Sequence, residues 1–443
     1  MLKALGNIFK IPELKKKVLF TFGMIAIYRI GAFIPTPGID GRALAQFFDN
    51  IAKTQGGTLF GLMNMFTGGA MTRMTIFALG IMPYISASII LQLLTVVIPQ
   101  LEKLSKEGEI GRRKLTQYTR YGTVVLCIVQ SFFISLWLEN STHFQGIQIV
   151  QFSGWSFRLL TVLTLTTGTT FIMWVGERIT ERGIGNGISL IITAGIISRM
   201  PTAFYQLYVL LTRKQVNLLT AGLMLVMLIG VIIGIILITQ GQRRIPVQYA
   251  RRVVGRRVYG GQSTYIPLRV NQAGVIPIIF AQSIILFPAT IAGLVPGRAI
   301  QAIANSLIPG KVFYEVFYAI LIMFFCYFYT AITFNPVEIA DNMKRYGGFV
   351  PGIRPGRPTA VYFDYIMTRI TLSGAVFLAV IAILPHFVSQ GFKIPYLVAS
   401  FFGGTGLLII IGVILDTMKQ IESQLLMRHY EGFMKKGKLR GRR

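Results

Sequence analysis

Residues 218–238 read LLTAGLMLVMLIGVIIGIILI, from Leu218 to Ile238, without one charged side chain. About 20 mainly apolar residues suffice for a helix to cross the hydrocarbon core of a bilayer. Backbone groups there have no water to bond, so the segment must satisfy them within itself, as a helix. Nine further segments of spanning length flank it: 18–36, 75–97, 119–138, 158–176, 186–204, 272–295, 313–335, 367–388 and 397–417. Two of these, 75–97 and 186–204, are rich in Gly, Ser, Thr and Pro, which suits helices that face other helices or water rather than lipid. The 443 residues are 53% hydrophobic and 14% charged. A soluble domain carries about a quarter charged residues, so that class is excluded.

The chain is also basic, with 44 Lys+Arg against 16 Asp+Glu. If the N-terminus is cytoplasmic, and Arg120, Arg158, Arg199 and Arg369 are counted with the segments beside their spans, the cytoplasmic segments hold 33 of these cations and the outer segments 10, which leaves Arg29 in the first span. That asymmetry sets the orientation by the positive-inside rule and explains the basic balance without DNA. Lys15-Lys16-Lys17 precedes the first apolar run, but no small-residue cleavage site follows, so the first span is expected to remain as an anchor. Cys127 and Cys326 fall in separate spans and read as packing residues.

Ten spans divide into two fives. Because five is odd, the second half would enter the membrane from the opposite face, the arithmetic of an inverted repeat. The expected organisation is a cytoplasmic N-terminus (1–17), a first half (18–204), an outer linker (205–216), a second half (217–417) with long cytoplasmic loops at 240–271 and 336–369, and a basic cytoplasmic tail (418–443). The outer segment 37–74 contains an apolar piece, Leu59-Phe60-Gly61-Leu62-Met63-Asn64-Met65-Phe66, too short to span and broken by Thr67-Gly68-Gly69. It fits an interfacial helix, a re-entrant element or a packed plug.

No acid sits at mid-span, and the three histidines avoid span centres, whereas ion- and proton-coupled transporters commonly place ionisable groups inside the bundle. No nucleotide-binding, metalloprotease or nucleophile-elbow motif occurs, so we assign no catalytic residue, no cofactor and no metal. A conduit or scaffold remains. A conduit for polypeptide must pass many side chains yet exclude ions when empty, and a ring of apolar side chains does this by dewetting. Ile suits such a ring because its χ1 is stiff.

Six stretches, in order along nearly the whole chain, resemble the bacterial branch of the SecY/Sec61-alpha family: Ala78-Leu79-Gly80-Ile81-Met82-Pro83-Tyr84-Ile85-Ser86-Ala87-Ser88, Gly108-Glu109-Ile110-Gly111-Arg112-Arg113-Lys114, Ile179-Thr180-Glu181-Arg182-Gly183-Ile184-Gly185-Asn186-Gly187-Ile188-Ser189, Gly274-Val275-Ile276-Pro277, Phe334-Asn335-Pro336 and Phe349-Val350-Pro351-Gly352-Ile353-Arg354-Pro355-Gly356. The resemblance implies an all-α membrane protein: ten transmembrane helices in two inverted pseudo-symmetric halves of five around an hourglass pore. It implies a protein-conducting channel of the bacterial inner membrane with both termini cytoplasmic. Residue by residue, it implies a pore ring of Ile81, Ile85, Ile188, Ile192, Ile279 and Ile409. It makes segment 59–73 a plug, with Leu59, Phe60, Leu62, Met63, Met65 and Phe66 as its apolar side chains. Gln92 and Asn271 would border a lateral gate opening toward lipid, able to bond across the closed seam.

The resemblance assigns the cytoplasmic loops to docking the ribosome or the SecA motor ATPase, through Arg243, Arg244, Arg251, Arg252, Arg256, Arg257, Arg354 and Arg357. Clustered Arg attracts RNA phosphates with salt-dependent strength and pairs with carboxylates. Arg354 lies between Pro351-Gly352 and Pro355-Gly356, a turn-rich tip. SecE and SecG are implied membrane partners, and signal sequences, unfolded preproteins and membrane lipid the implied ligands. Two other readings stand beside this one, a secondary transporter with inverted repeats and a scaffold without transport. The loops 139–157 and 296–312 follow no pattern that assigns them a role.

Overall fold

The computed structural model describes residues 11–54, 64, 66–140, 144, 148–249, 252–254, 257–259, 263–294, 311–392 and 394–436. In chain order the elements are α1 (Pro12–Gly31), α2 (Gly41–Thr54), α3 (Met82–Val97), α4 (Pro99–Lys106), α5 (Glu109–Glu139), α6 (Trp155–Arg182), α7 (Gly187–Ile197), α8 (Met200–Thr212) and α9 (Leu218–Gln240). Strands β1 (Gln242–Tyr249), β2 (Arg252–Val254), β3 (Arg257–Tyr259) and β4 (Ser263–Arg269) follow. The chain continues through α10 (Ile276–Leu294), α11 (Val312–Thr333), α12 (Pro336–Arg345), β5 (Gly348–Phe349), α13 (Arg357–Phe392), α14 (Tyr396–Ala399) and α15 (Thr405–Lys436).

Helix covers each of the ten expected apolar segments. Among the described residues, six are long and apolar enough to cross a membrane: Glu109–Glu139, Trp155–Arg182, Gly187–Thr212, Leu218–Gln240, Val312–Arg345 and Arg357–Phe392. The pair α3 and α4 is apolar enough only when taken together, and it is bent by 102° at its junction, as in a broken span or a re-entrant loop. Pro99 opens α4, and the residue before a proline is pushed out of the helical region; Ile98 accordingly sits at φ −98°, ψ 114°. The stretch expected as a linker, 205–216, is helical as far as Thr212. Only 11% of the apolar window of α9 is buried. Its leucines and isoleucines therefore need lipid as their solvent.

Two of the family-like stretches are helix starts. Asn186 Oδ1 accepts from Ile188 N (3.1 Å) and Ser189 N (3.3 Å), capping α7. Asn335 Oδ1 accepts from Val337 N (3.2 Å) and Glu338 N (3.4 Å), with Pro336 in the first turn of α12. Asn is a favoured cap because its oxygen takes the donors that a helix start leaves free, and proline at the first position has no such donor to lose.

The all-α expectation is corrected at the basic loops. Strands β4, β1 and β5 form one antiparallel sheet in that order, with Ile245 opposite Ile266 and Gln248 opposite Phe349. The two loops are thus one unit. Ile245 and Val247 point inward from β1 between exposed residues and pack with Leu268, Phe334, Met343, Val350, Phe363 and Met367. The period-2 alternation that builds this face is what a helical reading overlooks.

Replacing Asn335 with Ala leaves two amide donors of α12 without their acceptor. The expected cost is about 1 kcal/mol, read as a lower midpoint of thermal unfolding in detergent, with Asn335→Asp restoring it.

Candidate functional site

The main apolar cluster is built by helices from both ends of the chain. It contains Ile81, Ile85, Ile192, Ile279 and Ile409, with Ile188 packed against it, among many other buried side chains of the bundle. Ile409 is fully buried and Ile192 is 1% exposed. The spacing explains part of this: Ile188 and Ile192 lie four residues apart on α7, and Ile81 and Ile85 straddle the start of α3. Residues four apart share a helix face.

Two of the contacts between the two halves differ in kind. Along the first, α7 packs on α15, and polar bonds extend the contact: Gly185 N donates to Gln420 Oε1 (3.0 Å) and Lys17 Nζ to Gln424 Oε1 (3.4 Å). Along the second, α3 packs on α10, and no hydrogen bond crosses it among the described residues. Gln92 on α3 is half-buried. Asn271, which is 8% exposed, turns its amide to the Gly274 carbonyl at 3.0 Å, rather than across to Gln92.

Of the expected plug residues, Leu59, Phe60, Leu62, Met63 and Met65 lie outside the described residues. Phe66 is 5% exposed and belongs to the main cluster with the isoleucines. Around it the segment is braced by its own polar groups. Gly69 N donates to Asn64 O (3.0 Å), Thr72 N to Asn64 Oδ1 (3.3 Å) and Met71 N to Thr67 Oγ1 (3.3 Å).

Arg243, Arg244, Arg354 and Arg357 are exposed, and none has a carboxylate partner among the described residues. Arg244 lies over the Tyr265 ring at 4.8 Å. The Arg354 tip is held by its main chain: Thr359 Oγ1 donates to the Arg354 carbonyl (2.8 Å), and Ile353 N to Val350 O (3.0 Å). Arg252 and Arg257 belong to β2 and β3, and Arg251 and Arg256 lie outside the described residues. Beside the sheet opens a cleft of about 460 Å³ lined by Asn186, Arg269, Asn271, Asp416, Lys419 and Gln420 among others. Burial and the nearby Arg269 push the Lys419 ammonium below the usual lysine range, against the opposing pull of Asp416.

The SecY family profile matches residues 75–418. The chain is 50% identical over 433 residues to the protein translocase subunit SecY of Escherichia coli K12, covering 97% of this chain and 96% of that one. It is 46% identical to the protein translocase subunit SecY of Aquifex aeolicus, covering 98% of this chain and all of the other. The chain belongs to the SecY family. Membership makes it a multi-pass membrane protein and a protein-conducting channel subunit of the translocase.

Solved structures share the fold at low sequence identity. A protein-conducting channel superposes with a TM-score of 0.61 at 16% identity, over 94% of this chain and 96% of that one. A SecY structure in which the plug domain stabilises the closed state and maintains a membrane seal gives 0.61 at 17%, with the same coverage. Sec61 in the canine ribosome–channel complex gives 0.57 at 17%, again over 94% and 96%.

Sequence reasoning missed two ion pairs that lock the SecY-family bundle. Arg120 on α5 makes a bidentate pair with Glu177 on α6, at 2.9 and 2.8 Å. Glu139 at the end of α5 accepts from Arg158 (2.7 Å) and from Gly154 N (2.8 Å), closing the loop 140–153 onto the start of α6. Both join residues far apart in sequence, and only their positions at span ends hinted at a partner.

If the isoleucine cluster is the seal, polar groups there should let water in. Changing Ile85, Ile192 and Ile279 together to Ser is expected to raise the ion conductance of resting vesicles well above the parent's. A triple variant at background conductance would place the seal elsewhere.

Proposed function

We propose that this chain conducts unfolded preproteins across the bacterial inner membrane and releases membrane-protein segments sideways into lipid, with N- and C-termini in the cytoplasm. The observation that carries this reading is that Phe66 and the six isoleucines, from four helical segments, all belong to or pack against one apolar cluster. In the proposed channel ten helices form two inverted halves around an hourglass pore. Ile81, Ile85, Ile188, Ile192, Ile279 and Ile409 form the constriction, and segment 59–73 is the plug above it. An empty constriction of this kind excludes ions by dewetting. A polypeptide replaces the isoleucine contacts with its own side chains, so passage strands no buried polar group.

The lateral gate runs between α3 and α10, beside Gln92 and Asn271. The contrast between the two seams supports this choice. Among the described residues, parting α3 from α10 breaks no hydrogen bond, and an apolar signal sequence offers replacement contacts; parting α7 from α15 also breaks the bond from Gly185 N to Gln420 Oε1. The exposed arginines of the sheet and the Arg354 tip face the cytoplasm and receive the ribosome or SecA, which supply the driving force. SecE and SecG complete the complex. The 33-to-10 distribution of cations supports the orientation.

Reconstitution tests the reading. Vesicles holding this chain with SecE and supplied with SecA and ATP should take up a preprotein. Uptake of a small solute without SecA, and none of the preprotein, would instead mark a secondary transporter. Arg354→Glu is expected to abolish SecA-driven uptake while the variant still inserts into the membrane at the parent's level. Undiminished uptake would remove Arg354 from motor coupling.

A further inference from the structure

Arg29 lies inside the first expected span, seven residues from its nearer end. A charge at membrane depth is costly and usually functional, and nothing in the proposed ring, gate or docking surface uses it. It stands in the last turn of α1. Among the described residues it pairs with no carboxylate. Its guanidinium lies 5.4 Å from the centre of the Phe33 ring, and its Nη1 donates to the main-chain carbonyl of Gly68 at 3.4 Å.

Gly68 is wedged as well as bonded. Its φ is +64°, and a Cβ there would stand 2.6 Å from Arg29 Nη1, 3.0 Å from the Gly195 Cα and 3.0 Å from Ser198 Oγ. Gly195 on α7 is its counterpart. A Cβ on Gly195 would stand 2.6 Å from the Phe66 carbonyl oxygen, 3.4 Å from Gly68 N and 3.4 Å from the Tyr28 hydroxyl. Backbone therefore rests directly on backbone: residues 66–68 sit on a side-chain-free notch of α7, and Arg29 closes over them from α1. The bonds among Asn64, Thr67, Gly69, Met71 and Thr72 make this base a small braced unit, so it is expected to lift as one body.

The notch is also placed to feel the pore. Ile188, Ile192 and Gly195 are spaced four and three residues apart on α7, so two ring side chains and the seat share one helix face. A polypeptide that pushes on Ile188 and Ile192 displaces the surface on which residues 66–68 rest.

We propose that Arg29 is a positioning residue that latches the base of the plug onto the Gly195 notch, and that movement of α7 by substrate releases it. The latch rests on the plug reading given above. It grips a carbonyl rather than a side chain, so it tolerates any sequence in the plug tip. The closed state gains the bond, and the open state returns that donor to water. A latch shifts the equilibrium only by this difference between the two states.

The test is the ratio of export of a preprotein with a defective signal sequence to export of the same preprotein with its normal signal, in the full complex. Arg29→Gln is expected to raise the ratio about tenfold, the order that follows from losing one hydrogen bond to a charged donor. Gly195→Ala, which leaves every charge in place and presses on the Phe66 carbonyl, is expected to raise it too. Arg29→Lys keeps a cationic donor and should fall between Arg29→Gln and the parent. A merely structural role for Arg29 would lower export of both preproteins together and leave the ratio unmoved. Should Arg29→Gln fail to accumulate, Gly195→Ala decides. Ratios equal to the parent's in the variants that accumulate overturn the latch. A parent channel that exports neither preprotein overturns instead the function on which the latch depends.

Discussion

The contact on which the architecture turns is the apolar cluster to which Phe66 and isoleucines of α3, α7, α10 and α15 belong. Its strength is dispersion and excluded water. That makes it unlike most ways of joining two halves of a protein. A buried ion pair or hydrogen-bond network is costly to break, because each partner left behind is an unpaired polar group in a poor solvent. An apolar contact leaves nothing unpaired, and its loss is offset by any other apolar surface that takes its place. A seal built this way holds against small ions and yields to a side chain of almost any shape.

Polar interactions are kept for what must not move. Arg120 with Glu177, and Glu139 with Arg158 and Gly154, tie α5 to α6 at its two ends. Thr21 Oγ1 accepts from Ile184 N at 3.1 Å, anchoring α1 to the turn before α7. Gln420 takes the amide of the neighbouring Gly185. Between α3 and α10 no such bond is found among the described residues.

Much of this was legible in the chain, and what was not has physical causes. The spans announced themselves because a helix in lipid must be apolar for its whole length. Asn186-Gly187 and Asn335-Pro336 carried cap chemistry in their residue types. The six isoleucines could be named only by resemblance, since an isoleucine facing a pore and one facing lipid are identical in sequence. The partner of Arg29 was hidden because it is a carbonyl, a group every residue has. Gly195 was hidden because its contribution is the absence of a side chain. The sheet was missed although Arg244-Ile245-Pro246-Val247-Gln248 alternates, because the loop's charge drew the reading toward binding and its two prolines argued against a strand. Pro246 is tolerated in β1 opposite Tyr265.

The sheet changes what Asn271 means. Strand β1 leaves α9 through Gly241, whose amide bonds to Leu237 O at 2.7 Å, and β4 returns with Val270 N bonded to Gly241 O at 2.9 Å. Asn271 then bonds Gly274, and α10 begins at Ile276. The basic platform and the gate helix are therefore joined by a hydrogen-bonded corner rather than a slack linker. A residue expected to hold the seam shut by bonding across it instead stiffens the connection behind it. In the proposed channel, a partner that tilts the platform through its arginines moves the start of α10 with it, and α10 packs on α3 along the proposed gate. Displacement delivered at the sheet is then passed to α10 through the hydrogen-bonded corner rather than absorbed by a slack linker.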